Sequence, residues 1–341
     1  MSVHPPKLIV IVPCYNEAAV LPVSSVQFMD ELKSLVGSNK VSPESCILFV
    51  DDGSSDATWQ VILTFAKSDN HFIGIRQSCN RGHQFALLAG LMEARTLGCE
   101  VTVTIDCDGQ DDIHAISAML DEYAKGADVV YGVRNDRSSD TFFKRFTAEC
   151  FYRFQAVMGV KTVFNHADYR LLSARVIDAL SNYHEVNLFL RGLIPLVGFK
   201  NACVTYKREK RLAGESHYGL FKMLAFAGDG ITSLSIRPIR LVQTGGLVLS
   251  LLGMLLVILL LLLWLFRLIP FGTLFVLAFM VFSSGLQLFC IGIIGEYVGK
   301  AYLESKARPR FLISDRTWCP PTPPLESSPD NGLAPKAQDN H

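Results

Sequence analysis

Four aspartates crowd the segment 106–112, which reads Asp-Cys-Asp-Gly-Gln-Asp-Asp and directly follows an apolar run rich in β-branched residues. Carboxylates this close are costly to ionise together unless a cation lies near them. A hard ion such as Mg²⁺ or Mn²⁺ binds one or two carboxylates together with substrate phosphates, and it stabilises a phosphate leaving group. The segment therefore predicts a metal-assisted phosphate site. The alternative is an acidic loop that only caps a helix beginning near Ile113.

Two further polar segments follow predicted strands. The first is 13–17, Pro-Cys-Tyr-Asn-Glu, and the second is 51–56, Asp-Asp-Gly-Ser-Ser-Asp. Adjacent carboxylates offer acceptors for the N–H of a base or for ribose hydroxyls, and the glycine lets the backbone come close to a ligand. These segments predict a nucleotide-binding surface.

The elements that must position these segments are strands and helices in alternation. Apolar runs predict strands at 8–12, 46–50, 101–105 and 128–131, with helical patterns between them. This order is typical of an α/β domain with a Rossmann-like sheet, which we place at residues 1–210. Ligands bind at the carboxyl ends of parallel strands, so we expect the three polar segments to meet at one sheet edge.

Composition excludes some classes of protein. The 32 basic residues are balanced by 32 acidic ones, whereas nucleic-acid binding needs a surplus of positive charge. We therefore expect no nucleic-acid partner. The 9 cysteines are scattered without a Cys-x-x-Cys pair, which favours reduced thiols in a cytosol-facing domain.

Two long apolar runs follow the α/β domain. Residues 241–266 and 268–295 carry no charge, and each run is long enough to cross a bilayer as a helix. We predict two transmembrane helices, at about 241–266 and 273–295, within the segment 241–299; buried core helices are the alternative. Arginines and lysines flank the pair on both outer sides, which predicts that both termini and the α/β domain are cytoplasmic.

The remaining segments complete the predicted domain organisation. An amphipathic helix at about 142–158 has basic residues beside its apolar stripe, which predicts a position in the lipid headgroup layer. A helix that simply packs on the domain would show the same pattern. Residues 211–240 are predicted as a juxtamembrane linker or interfacial helix, 300–318 as a cytoplasmic extension, and 319–341 as a disordered tail.

Several motifs together resemble glycosyltransferase family 2, the GT-A fold, and within it the polyprenyl-phosphate branch that includes bactoprenol glucosyltransferases and relatives of dolichyl-phosphate mannose synthase. Besides the three polar segments, the motifs lie at 80–83, 130–134, 167–171, 189–193, 213–218 and 292–299. The resemblance extends from about residue 8 to residue 313. Gly109 departs from the family's usual Leu or Ala, and the 166–169 segment His-Ala-Asp-Tyr departs from its commoner Gly-Asp-Phe.

The resemblance implies roles for individual residues. Those implied to bind the nucleotide sugar are Pro13, Tyr15, Glu17, Asp52 and Asp106. Asp108 and Gln110 are implied to hold Mg²⁺ or Mn²⁺. Asp168 is implied to join Asp108 as a catalytic residue, acting at the reacting centre as a base or as an orienting carboxylate.

An acceptor phosphate needs positive partners near the membrane. Guanidinium groups pair well with phosphate oxygens, and the candidates are Arg134, Arg137, Arg208 and Arg211. An ordinary surface role is the alternative for each of them. A phosphate monoester has a second pKa near 6, so the acceptor oxygen is mostly deprotonated at neutral pH without help from Asp168.

The predicted function is inverting transfer of one hexose from a nucleotide-diphosphate sugar to polyisoprenyl (undecaprenyl) phosphate. UDP-glucose or a related UDP-sugar is the expected donor, and UDP-GlcNAc, UDP-GalNAc and GDP-mannose are the alternatives. The product would be a lipid-linked sugar for cell-envelope glycan or O-antigen modification. The resemblance also implies a multi-pass protein of the bacterial inner membrane, in contact with the lipid bilayer, and a homo-oligomer, a tetramer in the family.

Two other functions share features with this sequence. A processive polysaccharide synthase shares the nucleotide and metal loops but carries a Gln-x-x-Arg-Trp segment, and no tryptophan of this chain follows an arginine. A non-catalytic membrane scaffold with a GT-A-like domain would have no need for the carboxylates at 106, 108 and 168.

Overall fold

A computed structural model describes residues 4–134, 166–207, 235, 237–266 and 272–318. Its strands are β1 (Leu8–Cys14), β2 (Cys46–Asp51), β3 (Phe72–Gln77), β4 (Val101–Thr104), β5 (Val129–Arg134), β6 (His166–Ser173), β7 (Asn201–Tyr206) and β8 (Ile313–Arg316). Its helices are α1 (Leu21–Gly37), α2 (Thr58–Ser68), α3 (His83–Thr96), α4 (Ala115–Ala124), α5 (Ala174–Ser181), α6 (Leu190–Val197), α7 (Arg237–Leu265) and α8 (Thr273–Ser305).

The strands form one mixed sheet with helices on both faces. Its order is β7-β5-β6-β4-β1-β2-β3-β8. Every residue of β1 and β2 is buried, which explains why these strands are continuous apolar runs rather than alternating ones. Residues of α1, α2 and α4 form the core on one face, and residues of α3, α5 and α6 form the core on the other.

The pairing directions gather the polar segments at one edge. Strands β3, β2, β1 and β4 are parallel neighbours, so the segments that follow them leave the sheet on the same side. Strand β6 is antiparallel to β4, with Thr104 opposite Arg170. The beginning of β6 therefore lies beside the end of β4. The Thr104 hydroxyl donates a hydrogen bond of 2.5 Å to the carbonyl of Asp168 there.

The four predicted strands are all present, with ends that differ by a few residues. The segment 300–318, predicted only as an extension, contributes β8 to the sheet edge, antiparallel to β3. The Arg316 guanidinium bonds the Glu93 carboxylate of α3 at 2.6 and 3.0 Å, and the Gly74 N–H of β3 donates to the Thr317 hydroxyl at 3.0 Å. The end of this segment is thus part of the α/β domain.

Helices α7 and α8 cover most of the two uncharged runs. Across the part of the chain that the structure describes, no helix combines the length and the apolar character needed to cross a membrane. The transmembrane hairpin stays a prediction. The predicted interfacial helix at 142–158, residues 211–234 and 236 of the linker, and the tail 319–341 lie outside the described residues.

Candidate active site

The loops after β1 and β2 are bonded into one surface. The Asn16 side-chain oxygen accepts a hydrogen bond from the Ser55 N–H at 2.9 Å, and the Asn16 N–H donates to the Ser54 hydroxyl at 2.9 Å. The Glu17 N–H donates to the Thr58 hydroxyl at 2.9 Å. Asn16 has a φ of 56°, a left-handed conformation that asparagine tolerates better than most residues. The two segments predicted to bind nucleotide are therefore held together.

Asp52 fixes a third loop against this surface. Its buried carboxylate accepts hydrogen bonds of 2.9 Å from the N–H groups of Arg81 and Gly82. Burial raises the pKa of Asp52, and these two bonds oppose the rise. Gly53 has a φ of 65°, and a Cβ atom there would lie 2.5 Å from the carbonyl carbon of Cys79. Only glycine allows this approach.

Two other predicted nucleoside contacts lie at the end of β1. Tyr15 follows the strand and is 47% exposed, which leaves its ring accessible to a base. Pro13 is buried within the strand. Their roles in binding stay predictions.

Two carboxylates of the acidic loop after β4, those of Asp108 and Asp111, are buried and have different hydrogen-bond partners. Asp108 is buried, and its carboxylate accepts the Gln110 N–H at 3.1 Å. Asp111, which the sequence analysis did not single out, accepts a hydrogen bond of 2.6 Å from the Tyr206 hydroxyl and pairs with Arg134 at 3.1 Å. Arg134, a predicted phosphate ligand, therefore lies at the acidic loop and bonds a carboxylate there.

Asp168 is surrounded by donors. Arg191 bonds its two oxygens at 3.2 and 2.9 Å, Arg170 bonds it from the buried side, and the Gln84 amide donates at 3.4 Å. His83 Nε2 lies 3.4 Å from the same carboxylate. Burial alone would raise the pKa of Asp168, but the charges of Arg170 and Arg191 and the bond to His83 hold it well below its usual value. The carboxylate is therefore ionised across the physiological pH range.

His83 links Asp168 to the acidic loop. Its Nε2 atom lies 3.7 Å from Asp106 as well as near Asp168. Desolvation disfavours the charged imidazolium, but the bond to Asp168 and the charge of Asp106 outweigh it and raise the pKa of His83. The pKa of Asp106 is raised by burial, with the charges of Asp168, Asp111 and Asp108 adding to the rise and His83 opposing it.

His83, Arg170 and Arg191 were missed as site residues by the sequence analysis. Each lies inside one of the motifs that resemble the family, at 80–83, 167–171 and 189–193, so position within those motifs was the available signal. The other three predicted phosphate ligands, Arg137, Arg208 and Arg211, lie outside the described residues.

The metal prediction rests on few ligands. Among the described residues, no group of three or more His, Cys, Asp or Glu side chains could hold a metal ion. Mg²⁺ usually keeps several waters and takes only one or two carboxylates plus substrate phosphates, and Asp108 with Gln110 offers hard oxygen donors of that kind. The residues present fit such an ion as part of a nucleotide complex.

The family model for glycosyl transferase family 2 matches residues 9–181, which include every loop of this site except the segment around Arg191. The chain belongs to glycosyltransferase family 2. With the mixed α/β sheet, this confirms the GT-A part of the predicted fold class and the predicted transferase class of enzyme.

Relatives of this glycosyltransferase match it along nearly their whole length. The uncharacterized glycosyltransferase YkoT of Bacillus subtilis (strain 168) is 43% identical, over 92% of this chain and 93% of that protein. The bactoprenol glucosyl transferase of Shigella phage SfX is 35% identical, over 91% of this chain and 99% of that protein. Among solved structures, mannosyl-3-phosphoglycerate synthase from Rubrobacter xylanophilus matches with a TM-score of 0.43 and 16% identity, over 70% of this chain and 75% of that one.

Proposed function

We propose that this glycosyltransferase transfers a single hexose from a nucleotide-diphosphate sugar, with UDP-glucose as the expected donor, to polyisoprenyl phosphate. The observation that carries the proposal is the similarity to enzymes named bactoprenol glucosyl transferase, at 35% identity over 99% of the SfX protein. Similarity over this length includes the two long helices as well as the α/β domain. The product would be a lipid-linked sugar used to modify a cell-envelope glycan or O-antigen.

The charges around Asp168 support a phosphate acceptor. Arg170, Arg191 and His83 surround one carboxylate, and Arg191 keeps 32% of its side chain exposed. Guanidinium groups bond phosphate oxygens with the same fork geometry that they use for a carboxylate. Arg191 can thus contact both Asp168 and an incoming phosphate.

On the donor side, the bonded loops after β1 and β2 would hold the nucleoside, with Tyr15 against the base and Asp52 setting the position of the 81–82 backbone. Asp108 and Gln110 would hold Mg²⁺ or Mn²⁺ against the donor diphosphate. Such an ion neutralises charge that develops on the leaving diphosphate.

The proposed reaction is one displacement. An acceptor phosphate oxygen forms a bond to the anomeric carbon while the bond from that carbon to the donor diphosphate breaks, and the nucleoside diphosphate leaves. Attack from the face opposite the leaving group inverts the anomeric centre, so an α-linked donor of D-gluco configuration yields a β-linked product. No proton needs to be removed from an acceptor phosphate that is already a dianion above its second pKa, near 6.

We further propose that α7 and α8 form a hairpin in the bacterial inner membrane, with the catalytic domain and both termini cytoplasmic and the protein a homo-oligomer. The uncharged runs 241–266 and 268–295 and their basic flanks support the hairpin and its orientation, whereas the homo-oligomer rests on the family resemblance alone. Arg137, Arg208 and Arg211 would then meet the acceptor phosphate near the headgroup layer.

The test is a screen of radiolabelled UDP-glucose, UDP-GlcNAc, UDP-GalNAc and GDP-mannose against undecaprenyl phosphate, with the full chain in detergent and the label followed into extracted lipid. We expect one sugar per lipid and a β-anomeric signal in the product. A polymer would favour the processive synthase. Nucleotide binding without transfer to any lipid phosphate would refute the proposed acceptor.

A further inference from the structure

The end of α8 is bonded to a segment that leads into the active site. The Glu304 carboxylate accepts hydrogen bonds from the Val186 N–H at 2.9 and 2.8 Å and from the Asn187 N–H at 2.8 Å. The Asn187 side-chain amide donates to it at 2.7 Å and to the Lys300 carbonyl at 3.3 Å. One carboxylate thus gathers two backbone N–H groups and a side chain that are more than 110 positions away in sequence.

Beyond Asn187 the chain enters the active site within a few residues. The Leu190 N–H, at the start of α6, donates to the Gln84 side-chain oxygen at 3.1 Å. The side-chain nitrogen of the same Gln84 donates to Asp168. Arg191, which follows Leu190 in α6, bonds both oxygens of Asp168. The beginning of α6 is therefore bonded to the Asp168 carboxylate both directly, through Arg191, and indirectly, through Gln84.

The segment 184–188 has no regular secondary structure and is half-buried to exposed. An irregular surface segment needs specific bonds to hold a single conformation, because ordering its backbone costs conformational entropy. Hydrogen bonds to a charged acceptor are the stronger kind. The bonds to Glu304 are of that kind, and they act three residues before the first turn of α6.

We propose that Glu304 is a positioning residue for sugar transfer, which holds the 185–189 segment on the end of α8 so that Arg191 and Gln84 keep Asp168 in place. Glu304 does not touch the reacting atoms; it acts through Arg191. Because α8 is the second helix of the proposed hairpin, the same contact ties the geometry of the reacting centre to the membrane-proximal part of the chain. The proposal needs only the transferase activity and not a particular donor or acceptor.

Glu304→Gln is the test variant, since it keeps the shape but places an amide N–H₂ against the N–H donors. Glu296→Gln is the matched control: Glu296 is on the same helix, is half exposed and pairs with Lys300 at 3.7 Å. We expect the amides of Val186 and Asn187 to exchange hydrogen about tenfold faster in Glu304→Gln and to be unchanged in Glu296→Gln. Unchanged exchange in both variants would overturn the contact, whatever the substrate.

The kinetic test uses the donor and acceptor on which the parent enzyme is active. We expect Glu304→Gln to lower kcat by about tenfold to a hundredfold while the affinity for UDP stays near the parent's and the melting temperature falls by only about 3 °C, because displaced catalytic geometry costs rate rather than donor binding. In an Arg191→Ala background, Glu304→Gln should have little further effect on kcat. The proposal would be overturned if the effects of the two substitutions on kcat multiplied in the double variant, or if UDP binding were lost in step with kcat. Either result would show that Glu304 has only a structural role.

Discussion

Replacing Gly53 by alanine tests how the nucleotide loops are packed. The residue has a φ of 65°, and its missing Cβ would lie 2.5, 2.6 and 2.8 Å from three backbone atoms of Cys79 and Asn80. Contacts this short against backbone cannot be relieved by rotating a side chain. The 79–82 loop would therefore have to move away from β2 by several tenths of an ångström or more.

The loss of stability expected for Gly53→Ala has two parts. An alanine in the left-handed region costs about 1 kcal/mol, whatever surrounds it. Moving the loop also stretches the bonds from the Arg81 and Gly82 N–H groups to the Asp52 carboxylate, and a hydrogen bond to a charged group is worth about 1.5–3 kcal/mol. Partial loss of both bonds brings the total to about 3–5 kcal/mol. At about 2 °C per kcal/mol, the melting temperature should fall by about 6–10 °C.

The control is Gly98→Ala. Gly98 has a φ of 71° but nothing within 4 Å of the added Cβ, so it carries only the conformational part. Thermal unfolding in detergent should show a fall of about 2 °C for this control. UDP binding, followed by calorimetry, should weaken only in Gly53→Ala. If the two variants melted alike and bound UDP alike, the close approach of the loop to β2 would be wrong.

Three further outcomes are expected. Asp168→Asn should keep its affinity for UDP while kcat falls by about 10²-fold. Asp108→Ala should lose both turnover and the Mn²⁺ dependence of UDP binding. UDP titrations with and without Mn²⁺, together with initial rates, would show both outcomes. The pKa of His83 is raised in the folded protein, so the stabilisation from its positive charge is present below about pH 6.5 and is lost as pH rises through the pKa of the folded state. The difference in melting temperature between the parent and His83→Gln should therefore shrink from pH 6 to pH 9. Arg316→Ala breaks a partly exposed ion pair with Glu93 at 2.6 Å. The free energy of unfolding should fall by about 1 kcal/mol and the melting temperature by about 2 °C. An unchanged melting curve would contradict the anchoring of β8 by this pair.

The central strands were predictable because both faces of the sheet are covered. Buried parallel strands are uninterrupted apolar runs, and the polar residues that follow them mark the ligand-binding edge. Strand β3 was not predicted, because Gly74 interrupts its apolar pattern. A Cβ there would lie 2.3 Å from a methyl carbon of Ile62, so the glycine makes room for α2 at the cost of a weaker strand pattern.

The sequences of strands β6 and β8 do not by themselves indicate a strand. The four residues of β8 read Ile-Ser-Asp-Arg, and their position is set by pairing with β3, which lies more than 230 residues earlier in the chain. Strand β6 is placed by its pairing between β4 and β5. Asp168 could therefore be assigned to the site only through the family resemblance. The same motifs contain His83, Arg170 and Arg191, but only the fold shows that these cations meet at the Asp168 carboxylate.

Those cations bear on what Asp168 does. A general base works best with a pKa near the operating pH, whereas Arg170 and Arg191 hold the pKa of Asp168 well below its usual value and make it a poor acceptor of protons. The proposed phosphate acceptor is mostly deprotonated above a pKa near 6, so transfer does not require a base. The charge of Asp168 instead holds the two guanidinium groups together, since like charges would otherwise repel each other. We therefore propose that Asp168 acts as an orienting carboxylate, and we expect the loss of activity on acidification to follow protonation of the acceptor phosphate rather than of Asp168.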